Sequence, residues 1–85
     1  MRPMPCDHVG GPELIEMAEQ HLRDANVPPE EWPGLRFRWA GNLTGGMWAS
    51  VILEIERRGA QWFVTRLDRN RDALPTDETG FRRIG

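Results

Sequence analysis

Asp68, Asn70 and Asp72 have the types and spacing of the first ligands of a calcium-binding loop. In such a loop the sixth position must be Gly, for the sharp turn, and the twelfth must be a bidentate Glu. Ala73 and Thr79 stand at those two positions here. The spacing therefore predicts an Asx-rich turn after a strand and no metal site.

Cys6, His8 and His21 are the other candidates for metal binding or for nucleophilic catalysis. Structural zinc takes four Cys or His ligands, and these three residues do not supply them. A catalytic cysteine needs a rigid support and an orienting group, which the Pro-rich segment around Cys6 does not offer. We therefore expect a half-buried packing role for His21, and we predict neither a metal nor a cofactor for this chain.

Arginine and tryptophan supply the third kind of candidate chemistry. Both types are enriched at the energetic centres of protein interfaces. Guanidinium groups also bind phosphates, and indole rings stack on nucleic-acid bases. The arginines and tryptophans considered for such contacts are Arg36, Arg38, Arg66, Trp48 and Trp62. Whether they share one surface depends on the elements that position them.

Composition bounds the class of protein. The 85 residues have room for one domain, with 28% charged and 39% hydrophobic residues. Cys6 is the only cysteine, so no internal disulfide can form. No apolar stretch is as long as that of a signal peptide or a membrane span. We therefore expect a cytoplasmic protein with no membrane partner.

Charge is uneven along the chain. Residues 1–35 carry seven acids against two Arg, whereas residues 36–85 carry nine Arg against six acids. The net charge of −2 disfavours a general polyanion binder. The basic second half nevertheless keeps nucleic-acid binding open as an alternative.

One helix is predicted after a flexible tail of residues 1–10, within a single domain of residues 11–85. Pro12 suits the first helical position, and Asn26 followed by Pro28 ends the pattern. Apolar and packing residues recur at helical spacing and define one stripe. That stripe comprises Leu14, Met17, Ala18, His21, Leu22 and Ala25.

Three strands are predicted next, over residues 35–39, 47–56 and 61–68, and the first of them alternates apolar residues with Arg. The Arg57-Arg58-Gly59 stretch is typical of a three-residue hairpin loop with a bulge. The fold class is therefore α+β, with one N-terminal amphipathic helix packed on a three-stranded antiparallel meander sheet. A short fourth C-terminal strand is left open for residues 69–85.

That hairpin predicts which residues share the sheet face opposite the helix. Pairing Glu56 with Ala60, and Leu53 with Phe63, places two Trp and several Arg on this outer face. The predicted binding surface comprises Arg36, Arg38, Trp48, Ile52, Trp62, Val64 and Arg66. One helix cannot cover both faces, so such a patch favours an interaction site. A competing interpretation has Leu74, Phe81 and Ile84 fold back over it as a C-terminal lid.

We therefore predict a non-catalytic module that binds protein through this face, including a second copy of itself as a homodimer. The first alternative is a nucleic-acid binder that uses Arg36, Arg38 and Arg66 for phosphates and Trp48 or Trp62 for stacking. The second is a small enzyme whose site is completed by oligomerisation. No nucleophile, base and orienting group converge in the sequence, which places the enzyme last.

Overall fold

Residues 4–5 and 11–85 are described in the computed structural model of the chain. The elements are β1 (Met4–Pro5), α1 (Gly11–Asp24), β2 (Arg36–Asn42), β3 (Ser50–Arg58), β4 (Gln61–Asn70) and β5 (Gly80–Ile84), with short 3₁₀ turns at Pro29–Glu31 and Thr76–Glu78. The predicted tail of residues 1–10 lies outside the described residues except for β1, which pairs with β4.

All strand pairs of the sheet are antiparallel, in the order β1-β4-β3-β2-β5. The α+β class is confirmed, as is the predicted helix that follows residue 10. The sheet has four strands of five or more residues rather than three, together with the two-residue β1. The additional strand is β5, which pairs along the free edge of β2 after a connection over residues 71–79.

Helix α1 begins and ends where local chemistry requires. Pro12 lies in the first turn, where its missing N–H costs no helical hydrogen bond. The carboxylate of Glu13, in the same turn, interacts favourably with the positive end of the helix dipole. Asn26 adopts a φ of 59°, the left-handed conformation that stops helices, and Pro28 follows it.

The buried stripe of the helix is narrower than predicted. Leu14, Ala18 and Leu22 are buried, whereas the side of Met17 and His21 is exposed. The His21 ring still makes edge contacts with Phe37 and Phe81, at centroid distances of 5.6 and 5.9 Å. Relative to the prediction, the buried side of the helix is therefore the row of Gly11, Leu14, Ala18 and Leu22.

The predicted register of β4 is wrong, for two local reasons. The β3–β4 turn has only two residues, Gly59 and Ala60, between paired Arg58 and Gln61. Gly59 has a φ of 60°, as the first position of a type II′ turn requires. A β-bulge then inserts Thr65 between the partners of Ile55 and Glu54.

These two features decide which side chains of β4 enter the core. Before the bulge, Trp62 and Val64 point toward the helix; after it, Leu67 does so opposite Leu53. The core lies between α1 and this face of the sheet. Its buried members are Leu14, Ala18, Leu22, Trp32, Phe37, Leu53, Ile55, Trp62 and Val64.

We expect Leu22→Ala to lower the free energy of unfolding by about 2–4 kcal/mol, because Leu22 is fully buried and its truncation leaves a cavity. The control Gln20→Ala, on the exposed side of the same helix, should stay within about 0.5 kcal/mol. Urea titration of both variants measures the difference, and equal effects would contradict the placement of the buried row.

Candidate functional site

The outer face of the sheet, opposite α1, carries a network of charges around Glu54. This glutamate is only 8% exposed. Its two carboxylate oxygens accept from Arg36 at 3.4 Å and from Arg66 at 3.1 Å. Three of the predicted surface residues, Arg36, Arg38 and Arg66, therefore do share one face, with a buried acid among them.

Arg66 is held on both sides. Its Nε donates to Asp68 at 2.5 Å, while its terminal nitrogen reaches Glu54. These hydrogen bonds, first to Asp68 and then to Glu54, raise the pKa of the Arg66 guanidinium above its ordinary value. Two of the Arg66 donors are thus taken by carboxylates of the chain, which makes Arg66 a weaker candidate for contact with a ligand.

Trp62 and Val64 do not lie on the outer face, and that part of the predicted surface is corrected. The II′ turn and the bulge rotate this half of β4, so both side chains are buried against the helix, at 6% and 3% exposure. The Trp62 ring contacts Phe37 edge-on at 5.9 Å. The apolar patch expected from four outer residues therefore does not form.

Ile52 and Trp48 occupy the end of the outer face that the connection over residues 71–79 crosses. Ser50 Oγ donates to the carbonyl of Asp72 at 2.7 Å. Asn42 exchanges two hydrogen bonds with the backbone of Leu74, at 2.7 and 3.1 Å. Ile52 is buried there, and Arg71 lies over the half-buried Trp48 ring at 5.6 Å.

Of the three predicted lid residues, Leu74 is held at one end of the outer face by the backbone hydrogen bonds to Asn42. The other two predicted lid residues are placed differently. Phe81 lies on the helix side of the sheet and stacks on Phe37 at 5.3 Å. Ile84 is the strand partner of Arg36.

A half-buried polar cluster joins α1 to the hairpin, and sequence reasoning missed it. Glu19 accepts from Trp62 Nε1 at 2.8 Å and from Arg57 at 3.3 Å. The Arg57 guanidinium also lies between two indole rings, 5.2 Å from Trp32 and 5.4 Å from Trp62. Because every member is engaged by another, we assign this cluster to stability and not to binding.

An apolar pocket of about 450 Å³ opens between the first half of α1 and the nearby end of the sheet. Its walls are almost entirely apolar, with one acid and one Arg at the margin. The lining residues are Glu13, Leu14, Met17, Trp39, Leu43, Val51, Leu53 and Arg69. None of these belongs to the predicted binding surface.

Trp39 and Gly41 shape the pocket together. The indole of Trp39 lies so close to Gly41 that a Cβ on that residue would stand 2.5 Å from the ring. The absence of a side chain therefore allows the indole to lie flat along β2 and to form the pocket wall. The spacing Trp-x-Gly within a strand is the one sequence signal that could have indicated this feature.

Exposed apolar side chains concentrate at this same end of the molecule. Among the described residues the large hydrophobic side chains that are most exposed are Met17 (41%), Leu43 (42%) and Met47 (70%). Met17 and Leu43 line the pocket, and Met47 lies on the same loop as Leu43. Apolar groups clustered in this way are typical of an interaction site.

Asp68 and Asn70, two of the residues considered for metal binding, do not form the predicted turn. Asp68 and Asn70 lie inside β4 rather than in a loop, and Asp68 is bonded to Arg66. Cys6 and His8 lie outside the described residues. Over residues 4–5 and 11–85, no group of three or more His, Cys, Asp or Glu side chains could hold a metal ion.

Two further observations bear on the class of protein. In the described part of the chain, no helix has both the length and the apolar character that crossing a membrane requires. No protein-family model, curated protein or solved structure matches the sequence. The candidate site must therefore be judged on its own geometry.

We expect Glu19→Ala to cost about 1–3 kcal/mol of unfolding free energy, because it leaves the buried indole N–H of Trp62 without an acceptor. Glu16→Ala removes the same side chain three residues earlier, where it is exposed, and should cost less than about 0.5 kcal/mol. Thermal or urea unfolding compares the two, and a Glu19 variant as stable as the Glu16 variant would disprove the role of the cluster.

Proposed function

We propose that this chain is a non-catalytic protein-interaction module that associates with a second copy of itself through the apolar pocket and its margin. The observation that carries the proposal is the concentration of Met17, Leu43 and Met47 at the pocket end. Burying such side chains is worth about 25 cal/mol per Å² of apolar area, before the costs of association are subtracted.

The charges at the pocket margin favour a second copy as the occupant. Glu13 and Arg69 stand on different elements, α1 and β4, with the apolar lining between them. A two-fold axis through the pocket would bring Glu13 of each copy toward Arg69 of the other. A surface that carries both signs in this way is complementary to itself.

The proposal keeps the function predicted from the sequence but moves the surface. The outer face lacks Trp62 and Val64, and its centre is the Glu54 network, which is polar and largely self-satisfied. The pocket end supplies the apolar area that the outer face lacks. Cytoplasmic localisation remains a prediction that rests on the composition.

We expect light scattering and sedimentation to give the mass of a dimer for the unmodified chain. Leu43→Asp should give a folded monomer, because the charge would be desolvated in the interface but stays in water on the isolated chain. Ala60→Asp is the control, since it adds the same charge at an exposed turn at the opposite end of β3.

Circular dichroism distinguishes lost association from lost folding in these variants. The proposal is wrong if the unmodified chain is a monomer at millimolar concentration. It is equally wrong if Leu43→Asp keeps the dimer mass.

Reversal of the margin charges tests the two-fold arrangement. Glu13→Arg alone and Arg69→Glu alone should each weaken the dimer, because like charges then face each other across the axis. The double variant should recover most of the lost affinity. Sedimentation equilibrium measures all three, and a double variant weaker than both single variants would rule out this pairing.

A further inference from the structure

Arg38 and Arg82 lie directly opposite each other on the outer face, as cross-strand partners of β2 and β5. Like charges at such positions repel and destabilise a sheet. Neither residue takes part in an ion pair within residues 11–85, whereas Arg36, Arg58 and Arg66 all do. The pair therefore needs an explanation that the chain's own acids do not supply.

The nearest acid on the other flank does not relieve this repulsion. Glu54 is the β3 partner of Arg38, yet its two oxygens are taken by Arg36 and Arg66. Arg36 and Arg66 together balance the charges of Glu54 and Asp68, to which they are bonded. Arg38 and Arg82 thus add two further positive charges to a region in which the carboxylate of Glu54 is already bonded to other Arg side chains.

Arg38 also has a hydrogen-bond donor that lacks an acceptor among the described residues. Its Nε is buried and has no hydrogen-bond partner in the described structure. Buried polar groups nearly always have a partner, and an ordered water or a bound ion is one explanation for an exception. Beside a second guanidinium, an acceptor with negative charge is the one that satisfies both groups.

From this geometry we infer that Arg38 and Arg82 form a binding site for a phosphate-type oxyanion. Paired guanidinium groups present planar sets of donors that match phosphate oxygens. The ligand chemistry is common to free phosphate, a nucleotide and a nucleic-acid backbone. The site lies on the opposite side of the sheet from the pocket, so the inference does not depend on dimer formation.

The test follows the Arg Nε–Hε signals by NMR while inorganic phosphate replaces chloride at constant ionic strength. The Arg38 signal should shift with saturation, and the melting temperature should rise by several degrees. Arg82→Gln should weaken phosphate binding by about tenfold, because it removes a charge-assisted donor group.

Arg83→Gln is the matched control. It removes the same charge one residue along β5, on the face that carries Phe37 rather than Arg38. It should leave the phosphate affinity within a factor of about two, as expected for a screened charge that makes no contact with the ligand. A similar loss in both variants would show unspecific attraction and overturn the inference.

Two further titrations identify the source of the phosphate. If a nucleoside 5′-monophosphate binds with the same affinity as inorganic phosphate, the site recognises a terminal phosphate. Unphosphorylated single-stranded oligonucleotides that bind in an Arg82-dependent and salt-dependent way indicate a nucleic-acid backbone instead. If none of the three probes shifts the Arg38 signal, the inference is wrong.

Discussion

The bulge at Thr65 is the constraint on which the rest of this structure depends. A regular β4 with Trp62 and Val64 in the core would have to turn Leu67 toward solvent. The extra residue resets the alternation, so that side chains on both sides of it reach the helix. Trp62 can then bond to Glu19, which attaches the helix to the hairpin. The choice of core and outer face thus follows from one irregular position.

Element lengths explain why a pocket remains beside this core. A helix of 14 residues is about 21 Å long, whereas a strand of nine residues such as β3 extends about 30 Å. The Glu19 cluster attaches the second half of α1 near the hairpin turn, so the uncovered length falls at the other end of the sheet. There Trp39 lies over Gly41, and the apolar wall of the sheet stays open.

Local signals predicted much of the fold and little of the site. The helix limits follow from Pro12, Asn26 and Pro28, and the α+β class follows from this helix together with the alternation of apolar residues and Arg in β2. The register of β4 depends on one residue in a turn and one in a bulge, which a hydrophobic pattern does not encode uniquely. Long-range partners, such as Glu19 with Trp62, were not visible because adjacency in space leaves no mark in local spacing.

The connection over residues 71–79 links the two halves of the outer face. A sheet covered by a helix on one face must present a water-compatible outer surface, and Arg and Glu side chains on this face shield the strands with their aliphatic stems. Buried apolar residues, Ile52 and Ala40, occur only where Ser50 and Asn42 anchor the connection. The same connection delivers β5 to the edge of β2, and that pairing is what sets Arg82 opposite Arg38. Covering Ile52 and setting Arg82 beside Arg38 are therefore two consequences of one chain path.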